Sequence, residues 1–235
     1  ALPHRRPVRI SGQNFPCTFR NPYTMTHPKS PAILPPLDEH ASALDRQLFF
    51  IVEIDRLKGV LRQNSLADGS RRENSAEHSW HVALLALILA EYAAAPIDVA
   101  HAVRMLLIHD LVEIDAGDTF AYDAQGISTQ RQREQAACER IFGLLPPAQA
   151  QDFRTLWEEF DAGETPEARY ALAVDRLMPM IHNALTEGSA WRANGVVASQ
   201  VRHRAESITR GAPELGALAN RLIAASVKAG ILPEA

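Results

Sequence analysis

The stretch Met105-Leu-Leu-Ile-His109-Asp110-Leu-Val-Glu113 sets three ionisable side chains inside an otherwise apolar helical run. An ionised carboxylate buried without a partner is strongly disfavoured. A fold that buries this run must therefore pair these charges or bind them to a metal. Glu113 lies four residues after His109, so both side chains leave the same helix face. A divalent ion accounts for all three at once. Two further segments supply ligands of the same kind. His78 sits in Glu77-His78-Ser79-Trp80-His81, and Asp175 sits in the apolar run Leu172-Ala-Val-Asp-Arg-Leu. His78, His109, Asp110 and Asp175 make a set of two imidazoles and two carboxylates. That set suits one divalent transition ion (Mn, Co, Fe, Ni or Zn) better than Ca or Mg. It leaves positions for water and substrate. His81 is the alternative to His78 in the first segment. His182, seven residues after Asp175, is a weaker candidate, because Pro179 disturbs the register between them.

The pattern around these segments is helical. Leu44, Leu48, Ile51, Ile54, Leu57 and Leu61 recur at three- and four-residue spacing, which predicts one face of a long amphipathic helix. Residues 66–73 read as a polar loop. Asn74 or Ser75 caps a second helix reaching about Ala95, apolar nearly all round and so expected at the centre of the fold. Asp98 caps a third helix to about Ile114, and Ser128 or Thr129 a fourth that ends near Gly143. A fifth spans about Pro147 to Phe160. Thr165-Pro166 opens a sixth, which Pro179 is expected to kink or end. Two more, about 196–209 and 213–229, finish the chain. With no alternating strand, the expectation is all-α, a single domain of about eight helices over residues 37–235. Trp80, Trp157 and Trp191 are expected in the core rather than on a base-stacking surface. Residues 1–36 hold eight of the 15 prolines and read as a tail or arm. Met25 is the first methionine, so residues 1–24 are read as an extension upstream of a natural start near Thr26.

Charge removes one function class. Lys+Arg 24 against Asp+Glu 28 gives a net charge of −4, against the basic surface that nucleic-acid binding needs. The longest uncharged apolar run, Val82 to Ala90, is too short for a bilayer. No membrane or nucleic-acid partner is expected. Cys17 and Cys138 make neither a disulfide framework nor a cysteine-rich metal site, which points to a reduced, cytoplasmic protein.

Histidine, then His-Asp, then Asp, all on helices, is the order found in HD-domain metal phosphohydrolases. The segments Arg71-Arg-Glu-Asn-Ser-Ala-Glu-His78-Ser and His109-Asp-Leu-Val-Glu113-Ile-Asp-Ala-Gly-Asp118 resemble the 5′-deoxynucleotidase-like branch over about residues 40–190. The resemblance implies an HD-type helical bundle, with His78, His109, Asp110 and Asp175 as metal ligands and Glu113 and Asp118 as catalytic acids. It implies that Arg62, near the end of the first helix, contacts the nucleotide phosphate or sugar. Arg71 and Arg72 are further candidate substrate contacts. The loop between Arg62 and His78 is about one residue longer than in the bacterial enzymes of this branch. Gln63 stands where the family has Trp, and the proline-rich start has no counterpart there.

The implied activity is metal-dependent release of phosphate from a (deoxy)nucleoside 5′-monophosphate, a small-molecule partner. The alternatives are a related enzyme acting on nucleoside di- or triphosphates or another phosphorylated metabolite, and a non-catalytic nucleotide- or metal-binding regulator. Retention of all four ligands with Glu113 and Asp118 speaks against the regulator. A homodimer fits the family and the apolar surface of the first and last helices.

Overall fold

Ser42 opens the first helix, its hydroxyl accepting from the Asp45 N–H while the Asp45 carboxylate accepts in return from the Ser42 N–H. The computed structural model describes residues 37, 38 and 40–234. The arm expected over residues 1–36 lies outside them. Helix α1 (Ala43–Ile54) passes into a 3-10 turn (Asp55–Gly59) and then into strand β1 (Leu61–Ser65), which pairs antiparallel with β2 (Arg72–Asn74). The remaining elements are α2 (Ser75–Ile88), α3 (Val99–Ile108), α4 (Glu113–Ala116), α5 (Ala124–Phe142), α6 (Pro147–Ala162), α7 (Pro166–Leu185), α8 (Ser189–Ala193), α9 (Ala198–Gly211) and α10 (Pro213–Lys228). Eight of these helices have ten residues or more, and the protein is all-α apart from the small hairpin. None of the helices is long and apolar enough to cross a membrane among the described residues.

Several local expectations are corrected. The long first helix is α-helical only to Ile54, tightens to a 3-10 turn over Asp55–Gly59 and gives way at extended Val60. The segment read as a loop is largely a hairpin. Its turn is built on Asp68-Gly69, with Gly69 at φ 70° and the Asp68 carboxylate accepting from the Ser70 N–H. The apolar face expected there is split: Leu44 is 72% and Ile51 60% exposed, while Ile54 and, in the 3-10 turn, Leu57 pack on the core beside Phe50. Helix α2 ends at Ile88 and is not buried all round. His78, Ser79, Val82, Ala83 and Ala86 face inward, while Trp80, Leu84, Leu87 and Ile88 face out. Trp157 and Trp191 are core residues, but Trp80 is 60% exposed. The third helix ends at Ile108, so His109 and Asp110 lie just past its C-terminus in a turn that leads into α4. Asp123, not Ser128 or Thr129, caps α5.

Helix α7 does not end at Pro179 but continues to Leu185. The proline removes the N–H that would bond the Asp175 carbonyl. Packing of Leu177, Met178 and Met180 on both sides of it holds the helix in place. The Pro179 carbonyl in turn accepts from Asn64 Nδ2 at 3.0 Å, tying β1 to α7. Helix α7 is thus the central element, buried through Tyr170, Ala171, Ala173, Val174 and Leu177 against α2, α3, α9 and α10. Its contact with α9 is backbone-close: a Cβ on Gly211 would stand 2.0 Å from the Arg169 carbonyl oxygen. A second core, with Met105, Ile108, Ile141, Phe142 and Trp157, joins α3, α5 and α6 beneath the His109-Asp110 turn.

Candidate metal centre and active site

Three elements converge at the middle of α7. The Asn74 side chain accepts from the Glu77 N–H and so starts α2 four residues before His78. Helix α3 delivers His109 and Asp110 at its C-terminal end, and α7 delivers Asp175. His78 is fully buried, with Nε2 2.9 Å from Asp175 Oδ1. His109 Nε2 is 3.0 Å from Asp110 Oδ1 and 3.6 Å from Asp175 Oδ1. Ligand atoms of His78, His109 and Asp110 lie within 4.8 Å of one another. The four residues expected as ligands are therefore together.

The outer ring nitrogens fix how the two imidazoles point. His109 Nδ1 is 2.8 Å from the Leu106 carbonyl, which makes it the protonated nitrogen and leaves Nε2 a lone-pair donor. That Nε2 is buried and has no hydrogen-bond partner. His78 Nδ1 faces Glu73 Oε2 at 3.4 Å, so its Nε2 is likewise aimed inward. Two such nitrogens beside two carboxylates fit a divalent transition ion, and the orphaned Nε2 is the atom such an ion would satisfy. Burial works to raise Asp175, but the adjoining His109 and His78 rings outweigh it and hold its carboxyl well below the usual range.

Glu113 and Asp118 flank this cluster and share its cleft, of about 440 Å³, with His109, Asp110 and Asp175. Burial, then the neighbouring Asp110 carboxylate, pushes Glu113 well above the usual carboxylate range, against the pull of Arg62. Asp118 is raised by burial too, with Arg62 again opposing. The Ser75 hydroxyl donates to Glu113 Oε2 at 2.6 Å and fixes its orientation.

Arg62 lies on β1, not at a helix end. Its Nη1 is 2.9 Å from Asp110 Oδ2 and 3.8 Å from Asp118 Oδ1, and its Nε is 3.9 Å from Glu73 Oε2. Arg71 and Arg72 are not brought to the cleft. Arg71 pairs with Glu77 at 2.6 Å on the surface, and Arg72 donates to the carbonyls of Leu61 and Arg62. His182 turns away from the quartet. With Glu73 and His81 it forms a separate group whose ligand atoms lie within 4.8 Å of one another.

Sequence reasoning missed Glu73. It sits in a short polar strand between exposed Arg72 and half-buried Asn74, where nothing in the pattern marks it as inward-facing. Its spacing of five residues before His78 was the available signal.

Comparison with known proteins agrees with this geometry. The HD domain family matches residues 54–216. The chain is 26% identical over 139 residues to "5'-deoxynucleotidase HDDC2" of Danio rerio, covering 59% of this chain and 68% of that protein. It is 26% identical over 130 residues to the Homo sapiens protein of the same name, covering 55% and 62%. The chain thus spans about two thirds of the curated relatives it matches. Among solved structures, a "Predicted metal-dependent phosphohydrolase" from Magnetospirillum magnetotacticum superposes with a TM-score of 0.79 at 49% identity, over 82% of this chain and 96% of that one. A conserved hypothetical protein from Pyrococcus furiosus, 22% identical with a TM-score of 0.53 over 77% and 99%, shares the fold.

Proposed function

From the premise that the chain belongs to the HD domain family, we propose that its cleft releases phosphate from deoxynucleoside 5′-monophosphates. The chain is a metal-dependent phosphohydrolase: the family, the relatives and the solved neighbour agree on this coarser description. The observation that carries the reading is the convergence of His78, His109, Asp110 and Asp175 beside two carboxyl groups of raised pKa. The choice of a deoxynucleoside monophosphate rests on the relatives named 5′-deoxynucleotidase.

His78, His109, Asp110 and Asp175 would hold one divalent transition ion. Such an ion, when bound, supplies a Lewis acid for a phosphoryl oxygen and lowers the pKa of water. The remaining steps belong to side chains of this chain. Glu113, whose carboxyl burial shifts toward its protonated form, serves as the acid that protonates the leaving 5′-oxygen. Asp118, on the same cleft wall, orients the attacking water. Ser75 stops the Glu113 carboxyl from rotating. Arg62 fixes Asp110 and, through it, the His-Asp turn. Phe160 packs against the His109 ring, with centroids 4.8 Å apart, and shields that side of the cluster from water.

The setting follows the same reading. Buried, unpaired Cys138 supports a cytoplasmic protein. The outward Leu44, Leu48 and Ile51 of α1 support a homodimer through that face. The test of function is phosphate release from a panel of nucleoside mono-, di- and triphosphates, using metal-free protein with single divalent ions added back. Activity restricted to di- or triphosphates would contradict the monophosphate reading and leave the site standing.

A further inference from the structure

Arg62 is committed. Its guanidinium faces Asp110, Asp118 and Glu73, and its side chain is 14% exposed. A phosphate arriving in the cleft also meets Asp110, Glu113, Asp118 and Asp175 in the wall. A phosphomonoester dianion there needs cations that are not already held by these acids.

We propose that Arg176 and Arg204 are that pair, an anion clamp that holds the phosphate group of the substrate against the metal-binding quartet. Arg176 follows Asp175 directly on α7, and Arg204 reaches the cleft from α9. Both line the 440 Å³ cleft with His109, Asp110 and Asp175, and both line an adjoining hollow of about 430 Å³. They stand where the two spaces meet, between the quartet and the room left for the rest of a ligand. Neither forms an ion pair among the described residues, whereas Arg62 does; Arg131 also lines the cleft but is exposed, with no buried nitrogen left unpartnered. Arg176 Nε is fully buried with no hydrogen-bond partner at all. A buried guanidinium N–H without an acceptor is costly, and a fold that keeps one has left it for a ligand. The planar fork of arginine matches the oxygens of a phosphate better than lysine does. This inference rests on the phosphohydrolase reading and adds to it the residues that grip the phosphate.

The test is calorimetric titration of inorganic phosphate into the metal-loaded full chain at fixed ionic strength. It compares the native protein with Arg176→Met, Arg204→Met and Arg176→Lys, each checked for metal content and thermal stability. The clamp predicts at least tenfold weaker phosphate binding in both methionine variants, with metal content unchanged. It predicts an intermediate loss for Arg176→Lys, and an Arg176→Met protein at least as stable as the native one, because an unpartnered buried cation has been removed. A structural arginine would instead lower stability when removed. Phosphate affinity within twofold of native in both methionine variants would overturn the clamp and leave the hydrolase standing. Loss of metal in those variants would overturn it too, by placing the arginines in the support of the ion. Native protein that binds no phosphate and turns over no phosphomonoester would overturn both readings together.

Discussion

The Glu73 carboxylate stands 3.4 Å from Nδ1 of His78, and the opposite nitrogen of that ring stands 2.9 Å from Asp175. Glu73 therefore faces the outer nitrogen of a ring that lines the metal site. Such outer carboxylates typically contribute about 10–100-fold to metal affinity. Glu73→Gln should weaken binding of Mn or Co by that factor, read by titration of metal-free protein, with the helical circular dichroism retained. Native affinity in this variant would remove Glu73 from the site.

Arg62 and Asp110 form a nearly buried pair at 2.9 Å. Removing one partner of such a pair costs about 3–5 kcal/mol, because the other charge is left uncompensated. Arg62→Met should lower the melting temperature of the metal-free protein sharply, and added metal should recover part of the loss by occupying Asp110. Thermal melts with and without metal decide this. A variant as stable as native without metal would show that Asp110 does not depend on Arg62.

Gly211 lets α9 approach α7 at the level of Arg169. A methyl there would lie 2.0 Å from the Arg169 carbonyl oxygen and 2.6 Å from its carbon, both backbone atoms that cannot swing away. Gly211→Ala should destabilise by about 1–3 kcal/mol or more, as overpacking does. Urea denaturation measures it, and a change under about 0.5 kcal/mol, the range of ordinary surface substitutions, would mean that the helices separate easily.

The sequence made the chemistry more legible than the outer surface. His109, Asp110 and Asp175 stand out because charge inside an apolar run has few explanations, and the eight long helices follow from caps such as Asn74, Asp98 and Thr165. The hairpin was illegible because its strands are short and polar, with two residues of β2 charged. Apolar periodicity in α1 and α2 marks a face but does not say what covers it, so Leu44 and Ile51 read as one helix face and Trp80 as core, and all three lie exposed. Arg176 and Arg204 look like ordinary helix-surface cations until the fold turns them toward the cleft.

Trp80 carries that last point into an experiment. Its ring is 60% exposed on the outer side of α2, two residues from fully buried His78. Trp80→Ser should change monomer stability by less than about 0.5 kcal/mol and leave metal binding unaltered. A loss of several kcal/mol in chemical denaturation would show that this face is covered in solution.

The most direct measurement concerns Glu113, whose carboxyl, pushed upward by burial, is the proposed proton donor beside the metal ligands. Phosphate release from deoxynucleoside 5′-monophosphates is followed for native protein, Glu113→Gln and Asp175→Asn, each stripped of metal and given back Mn, Co, Ni or Zn. The account predicts metal-dependent turnover by the native chain. It predicts that Glu113→Gln keeps its metal and loses about 100-fold or more in rate, the size of a general-acid contribution, while Asp175→Asn loses metal and activity together. Turnover that persists in Glu113→Gln at the native rate, or that does not need added metal, would contradict it.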